Sequence, residues 1–365
     1  MPTTNEGEVL FSTRELSQVL STEDMSRTIK VTEDDVTKFI LEKDFARKEL
    51  NGGLCLEGDA LGDFFDQFSL SLGVSYKYHE IPEDLKNCTS PWAVTLVKMY
   101  QEKFTWPAAL PAAQGEFLRN LVCNTDPKCV LEIGCFIGVS SIWMASGLEQ
   151  LGNRGTIHSV DLFNDIMPGA HTHYRYLHKP LEYAQSCAAA AQLSHRIKFY
   201  KTDSREMGKK VDEIIGEPID LLFIDGDHTI EGCLSDFILY YPHVSIGGYI
   251  VLHDIYPESC GWDGPRYVID NFIKDSPHFE LVEIETTASS YGEHGKYGMA
   301  LIRKLGPRSA STKQQQQALL KKARRNVSKA LINRIGRELG VGQKGTTGIK
   351  QAQMDISVMR KLTED

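Results

Sequence analysis

The chain has 365 residues, 41% hydrophobic and 24% charged, a composition of folded globular proteins that excludes global disorder and a bilayer-embedded chain. Its net charge of -9 hides a split. Residues 307–365 carry 13 Lys and Arg against 4 Asp and Glu, while residues 1–306 carry 27 against 45, so the acidic body is not expected to bind nucleic acid.

Residues 1–105 read as an acidic, helical cap or oligomerisation segment. Val36, Phe39 and Ile40 fall at helical spacing after an acidic first turn, and a second helix is predicted from Trp92 to Lys103. Trp106-Pro107 and Leu110-Pro111 then force extended chain.

Residues 106–306 form the main domain. Strands are predicted at Cys129–Ile133, Thr156–Asp161, Ile197–Thr202, Ile219–Asp225, Tyr249–His253, Phe279–Glu285 and Tyr297–Arg303. Helices are predicted at about 138–151, 180–193, 204–215, 229–241 and 265–275. Such alternation implies a mostly parallel seven-stranded sheet in an α/β, Rossmann-like fold. The last two strands have no helix between them and are expected to form an antiparallel hairpin.

Residues 307–365 read as a basic tail with one amphipathic helix, about 319–339, that docks on the acidic body or pairs with a second subunit. The chain shows no apolar run long enough to span a bilayer, and no basic-then-apolar leader opens it. The eight cysteines are scattered without a CxxC pair, which suits reduced thiols and a cytoplasmic location.

The first predicted strand runs Val130-Leu131-Glu132-Ile133 into the turn Gly134-Cys135-Phe136-Ile137-Gly138, and a helix follows through Ser140. Ligands of open α/β sheets bind at such carboxyl ends. The spacing E-x-G-x-x-x-G is not the G-x-G-x-x-G of a dinucleotide site, and no P-loop Lys follows. A nicotinamide-dependent dehydrogenase is therefore disfavoured. Asp161, at the tip of the second strand, is placed to accept ribose hydroxyls. Asp203, at the end of the third, suits either an adenine amino group or a plain helix N-cap, with Ser204 capping the next helix.

The fourth strand ends Asp225-Gly226-Asp227-His228, and the fifth ends His253-Asp254. Asp225 and Asp254 are expected to face one crevice, where two carboxylates can hold a divalent cation. His228 is a candidate general base, with N-capping as the competing reading for Asp227 and His228. His253, with apolar sequence neighbours, reads as a buried structural histidine. Trp106, Trp262, Tyr267 and Tyr291 are candidate acceptor walls, and His171 to Tyr176 suggests a lid.

From about Pro111 to Arg303 the chain resembles class I S-adenosylmethionine-dependent O-methyltransferases. Leu110-Pro111-Ala112-Ala113-Gln114-Gly115-Glu116-Phe117-Leu118 resembles the cation-dependent catechol and caffeoyl-CoA type. Phe223-Ile224-Asp225-Gly226-Asp227-His228 resembles methyltransferase family 24. The resemblance implies S-adenosylmethionine bound by Glu132, Gly134, Gly138, Ser140, Asp161, Asp203, Ser204 and Asp225. It also implies Mg²⁺ or another divalent cation on Asp225, Asp254 and Asp227, with His228 and Asp225 catalytic. Ile255 departs from the catechol pattern, in which Asn follows the second metal aspartate, so Asp227 or Glu258 has to substitute. The reaction implied is methyl transfer to a hydroxyl of a small molecule, a natural-product phenol or sugar, by a homo-oligomeric enzyme. Two alternatives stand beside it: a non-catalytic scaffold of the same fold, and an RNA methyltransferase acting through the basic tail.

Overall fold

The computed structural model describes residues 3–306 apart from 6–7, 21, 25–26, 30, 51–52, 73–77, 153, 167–175 and 285–297. The basic tail, the proposed lid at 171–175 and Tyr291 lie outside the described residues.

The sheet of the main domain consists of β1 (Cys129–Ile133), β2 (Thr156–Asp161), β3 (Ile197–Lys201), β4 (Ile219–Ile224), β5 (Val244–His253), β6 (Phe279–Ile284) and β7 (Met299–Lys304). Their spatial order is β6-β7-β5-β4-β1-β2-β3. The first five strands pair in parallel, and β7 runs antiparallel to both β5 and β6. The expected hairpin is present, and its two strands add to the β5 edge with the later strand innermost.

Alternation along each strand sends residues to opposite faces, and both faces are covered. Val130, Leu221, Phe223 and Val251 join one core with Leu118, Ile142 and Leu148, from helices Ala112–Thr125 and Val139–Leu151. Leu131, Leu222, Ile250 and Leu252 join the other with Phe237 and Val268, from helices Ile230–Tyr240 and Gly264–Val268. Each such side chain contributes roughly 1.5–3 kcal/mol by burial. β1 and β4 lie at the centre and are buried along nearly their whole length, which is why they read as unbroken apolar runs.

The N-terminal segment is not the helical cap expected. It contains a four-stranded antiparallel sheet, in the order Thr3–Asn5, Glu8–Ser12, Gly53–Glu57, Arg47–Leu50, and a hairpin of Thr22–Asp24 with Arg27–Ile29. Helices Thr13–Leu20, Glu33–Lys43 and Gly58–Ser71 pack with it around Phe11, Phe45, Phe64, Phe65 and Phe68. The predicted helix through Val36 and Ile40 is present, opened by a capping box between Thr32 and Asp35. Tyr176 of the main domain enters this phenylalanine core. No helix among the described residues is long and apolar enough to cross a membrane.

Candidate active site

At the carboxyl end of β1 the chain makes two left-handed turns, at Gly134 (φ 87°) and Gly138 (φ 88°), which L side chains adopt only at a cost. A Cβ on Gly134 would overlap the Asp225 carbonyl, so glycine lets the ends of β1 and β4 close together. Asp225 N–H donates to Ile133 O at 2.8 Å across that approach. Gly138 begins the helix Val139–Leu151 and faces Ala184 and Phe199.

Glu132 lies beneath this turn and is fully buried. Ser140, Ser141 and Ser159 all donate their hydroxyls to its carboxylate, Ser159 at 2.6 Å. Burial outweighs these donors and raises its pKa to about 7. Glu132, Ser140 and Gly138 therefore shape the turn from behind and are not among the residues lining the crevice.

The crevice itself encloses about 660 Å³ and is lined by Gly134, Phe136, Asp161, Asp203, Ser204, Asp225, Asp227, His228, His253, Asp254 and Trp262, among others. Asp161 accepts from Phe136 N–H and Phe163 N–H, both at 2.8 Å, one on each carboxylate oxygen. Burial holds its pKa above the usual carboxylate range despite these bonds. Asp203 caps the helix Ser204–Gly208 and is paired with Arg205 at 2.9 Å, which lowers its pKa. The cap is thus Asp203 itself. Ser204 instead donates to Asp236 at 2.6 Å.

On the opposite wall four groups converge. His228 Nε2 lies 3.2 Å from Asp225 Oδ1 and 3.4 Å from Asp254 Oδ2. His253 Nδ1 lies 2.8 Å from Asp225 Oδ1 and 3.2 Å from Asp254 Oδ1. Burial opposes charge on all of them, but the mutual attraction wins at three. It draws Asp225 down to about 2, raises His228, and lifts His253 to about 9. At Asp254 burial prevails and the pKa rises. Asp254 also holds a left-handed backbone, φ 56°, an uncommon conformation for a non-glycine residue.

Asp227, named as a metal ligand from the sequence, takes no part in this group. Its Oδ1 accepts from Thr229 N–H at 2.9 Å, just ahead of the helix, and the N-cap is Thr229 itself, whose hydroxyl accepts from Gly232 N–H. His228, by contrast, joins the cluster. Ile255 is fully buried in the core behind β5, which explains why no ligand stands there. The side chain of Glu258 lies outside the described residues.

His253 is the residue that sequence reasoning undervalued. Its Nε2 meets Gln114 Oε1 at 2.8 Å, and both side chains are buried. This contact gives the Gln114-Gly115 pair a physical meaning: Gln114 reaches the site, and Gly115 leaves room for Trp143 of the next helix. Among the aromatic candidates, Trp262 lines the crevice with its ring 6.3 Å from that of His228. Tyr267 packs against the core instead, and Pro107, next to Trp106, lies in the wall.

The order β6-β7-β5-β4-β1-β2-β3, with its one reversed strand and a crevice at the carboxyl ends, defines the methyltransferase class of α/β fold. Residues 131–255 match methyltransferase family 24, described as "Methyltransferase domain". An O-methyltransferase from Bacillus cereus, solved in complex with SAH, is 19% identical with a TM-score of 0.47, covering 67% of this chain and 99% of its own. The O-methyltransferase TomG from Streptomyces achromogenes, involved in tomaymycin synthesis and solved with SAM, is 19% identical with a TM-score of 0.44, covering 68% and 98%. Uncharacterized protein R132 from Acanthamoeba polyphaga mimivirus is 58% identical over 36 residues, 10% of this chain. The match spans 16% of that curated relative.

Proposed function

We propose that the crevice binds S-adenosylmethionine and that the chain transfers its methyl group to a hydroxyl of a small molecule, a phenol or a sugar. The observation that carries this reading is the division of one crevice into two halves. The Gly134 turn and Asp161 form one half, and Asp225, His228, His253 and Asp254 form the other.

In the first half, Asp161 is held by the Phe136 and Phe163 N–H groups, one on each carboxylate oxygen, and lines the crevice, which suits the two hydroxyls of a ribose. Gly134 brings backbone against the ligand without a side chain in the way, and Asp203 stands where an adenine amino group can be met. Glu132 holds the turn through Ser140, Ser141 and Ser159, a positioning task.

In the second half, a divalent cation fits the residues present, because His253 Nδ1 and Asp254 Oδ1 are buried atoms that form no hydrogen bond. Asp225 and Asp254 would hold it. Such a cation would supply acidity to a bound hydroxyl and neutralise the carboxylate pair. His228, whose Nε2–H donates to Asp225, then takes the hydroxyl proton at its other ring nitrogen, Nδ1, while the oxygen attacks the methyl carbon in line, the S–C bond breaks, and the sulfonium leaves as a thioether. Trp262 beside His228 offers an aromatic wall for a ring or sugar. A crevice of about 660 Å³ is in the range of small-molecule sites.

Calorimetry with S-adenosylmethionine, with and without Mg²⁺, tests the reading. Absence of binding refutes methyl transfer. Binding indifferent to every divalent cation keeps the cofactor half and removes the cation-holding role of Asp225 and Asp254.

A further inference from the structure

His253 presents its two ring nitrogens to opposite surroundings. Nε2 faces the amide oxygen of Gln114, an acceptor only, so this nitrogen carries the ring proton and donates it at 2.8 Å. Nδ1 faces Asp225 Oδ1 at 2.8 Å and Asp254 Oδ1 at 3.2 Å and forms a hydrogen bond with neither. A proton on Nδ1 would therefore lie off the line to both oxygens. These atoms are shielded from water, and the two carboxylates need a positive charge beside them, which either the protonated imidazole or, once Nδ1 gives up its proton, a bound cation supplies. The two distances from Nδ1, 2.8 and 3.2 Å, are compatible with neighbouring ligands of one cation: with bonds of about 2.1 Å, such ligands stand about 3.0 Å apart in an octahedron and about 3.4 Å in a tetrahedron.

Resting on the cation-assisted reading of this crevice, we propose that the site selects a first-row transition ion, of the Mn²⁺, Co²⁺ or Zn²⁺ kind, over Mg²⁺. The donors are Asp225, Asp254 and Nδ1 of His253, with Gln114 positioning the imidazole. Mg²⁺ favours all-oxygen shells and keeps much of its water, whereas an imidazole nitrogen suits the borderline ions. A ligating histidine whose other nitrogen donates to a buried carbonyl is the usual supporting arrangement for such ions. His228 stays outside the donor set. Its Nε2 already bonds Asp225 Oδ1 at 3.2 Å, and its ring reaches the crevice beside Trp262, where a base is needed. Ile255, buried in the core, leaves no oxygen ligand in the next position.

The test uses the full chain, stripped with a chelator and titrated with Co²⁺, Zn²⁺ and Mg²⁺ by calorimetry, with Co²⁺ also followed by its visible d–d absorption. A Cys129→Ser background removes a second possible ligand group, Cys129, His158 and Glu217, at the other end of the strands. One Co²⁺ or Zn²⁺ per chain is expected, bound about 100-fold or more tightly than Mg²⁺. His253→Asp makes the shell all oxygen, and it should change the Co²⁺ spectrum and cut that preference to below about tenfold. Gln114→Leu keeps every donor and should weaken Co²⁺ by about 10–100-fold, which preserves the test if His253→Asp does not fold by circular dichroism. Mg²⁺ binding as tight as Co²⁺, a Co²⁺ spectrum unchanged by His253→Asp, or a Co²⁺ affinity unchanged by Gln114→Leu overturns the proposal. No metal binding alongside intact S-adenosylmethionine binding overturns it too, and leaves methyl transfer standing. Metal binding without S-adenosylmethionine binding overturns methyl transfer instead.

Discussion

Replacing Glu132 by Gln removes an ionisable group from beneath the glycine turn while keeping its shape and one acceptor oxygen. The carboxyl of Glu132 is fully buried, and burial raises its pKa from 4.5 to about 7 against the pull of three serine hydroxyls. Between those two values the folded chain holds a proton that the unfolded chain has released, so stability falls as pH rises through this window. The group's contribution is complete below about pH 4.5 and is lost by about pH 7, a change of about 3 kcal/mol. Asp236, also buried and raised to about 7, gives the wild type a second slope of the same sign, so the informative quantity is the difference between the two proteins. Urea unfolding followed by circular dichroism at pH 5, 6, 7 and 8 measures it. Glu132→Gln should lose less stability than wild type across this range, by about 3 kcal/mol at pH 8 relative to pH 5. Parallel pH profiles would refute the reasoning, because they would mean that the three hydroxyls fully offset the burial of a charged Glu132.

Gly134→Ala should cost about 2–4 kcal/mol in thermal unfolding and abolish cofactor binding, since φ 87° and the Asp225 carbonyl both exclude a Cβ. Asp161→Asn should weaken S-adenosylmethionine by about 10–100-fold in calorimetry, because a charge-assisted acceptor is lost and an amide group is turned toward backbone N–H donors. His228→Asn should lower kcat by about 10²–10⁴-fold, with S-adenosylmethionine affinity unchanged, if it serves as the base. Phe223→Ala, in the middle of β4, should destabilise by about 3–5 kcal/mol in urea unfolding and leave cofactor affinity per folded molecule intact.

The central sheet was legible because its strands are buried on both faces and carry apolar side chains throughout. β1 and β2 occupy the residues predicted for them, and the reversed β7 followed from the missing crossover helix. β5 begins at Val244, five residues before the predicted start, because Gly247 and Gly248 read as a break although the chain stays in the sheet through a left-handed Gly247. The helix predicted over 204–215 is two short ones, Ser204–Gly208 and Val211–Ile214, separated at Lys209 and Lys210. The N-terminal sheet gave little signal. Arg47-Lys48-Glu49-Leu50 is charged and pairs through its backbone, and neither β-propensity nor alternation marks it as a strand.

The reaction half shows a different limit. Carboxylates at strand tips can be named from sequence because parallel neighbours bring those tips together, and Asp225 and Asp254 do meet around His228. What sequence order does not convey is which flanking side chain turns inward. Asp227 and His253 each sit one or two residues from a site aspartate, and the sequence pattern points to Asp227. The structure instead brings His253 against the two aspartates, for a local reason. Past the end of β4 the chain turns into a helix that Thr229 caps, and Asp227 accepts from the N–H of that capping residue. His253 still belongs to β5, paired opposite Met299, so its orientation is fixed by the sheet, and Gln114 from a helix covering that face holds its far nitrogen. A histidine among apolar neighbours is therefore ambiguous in sequence. The buried amide 139 residues away, 2.8 Å from its Nε2, is a partner that sequence proximity does not reveal.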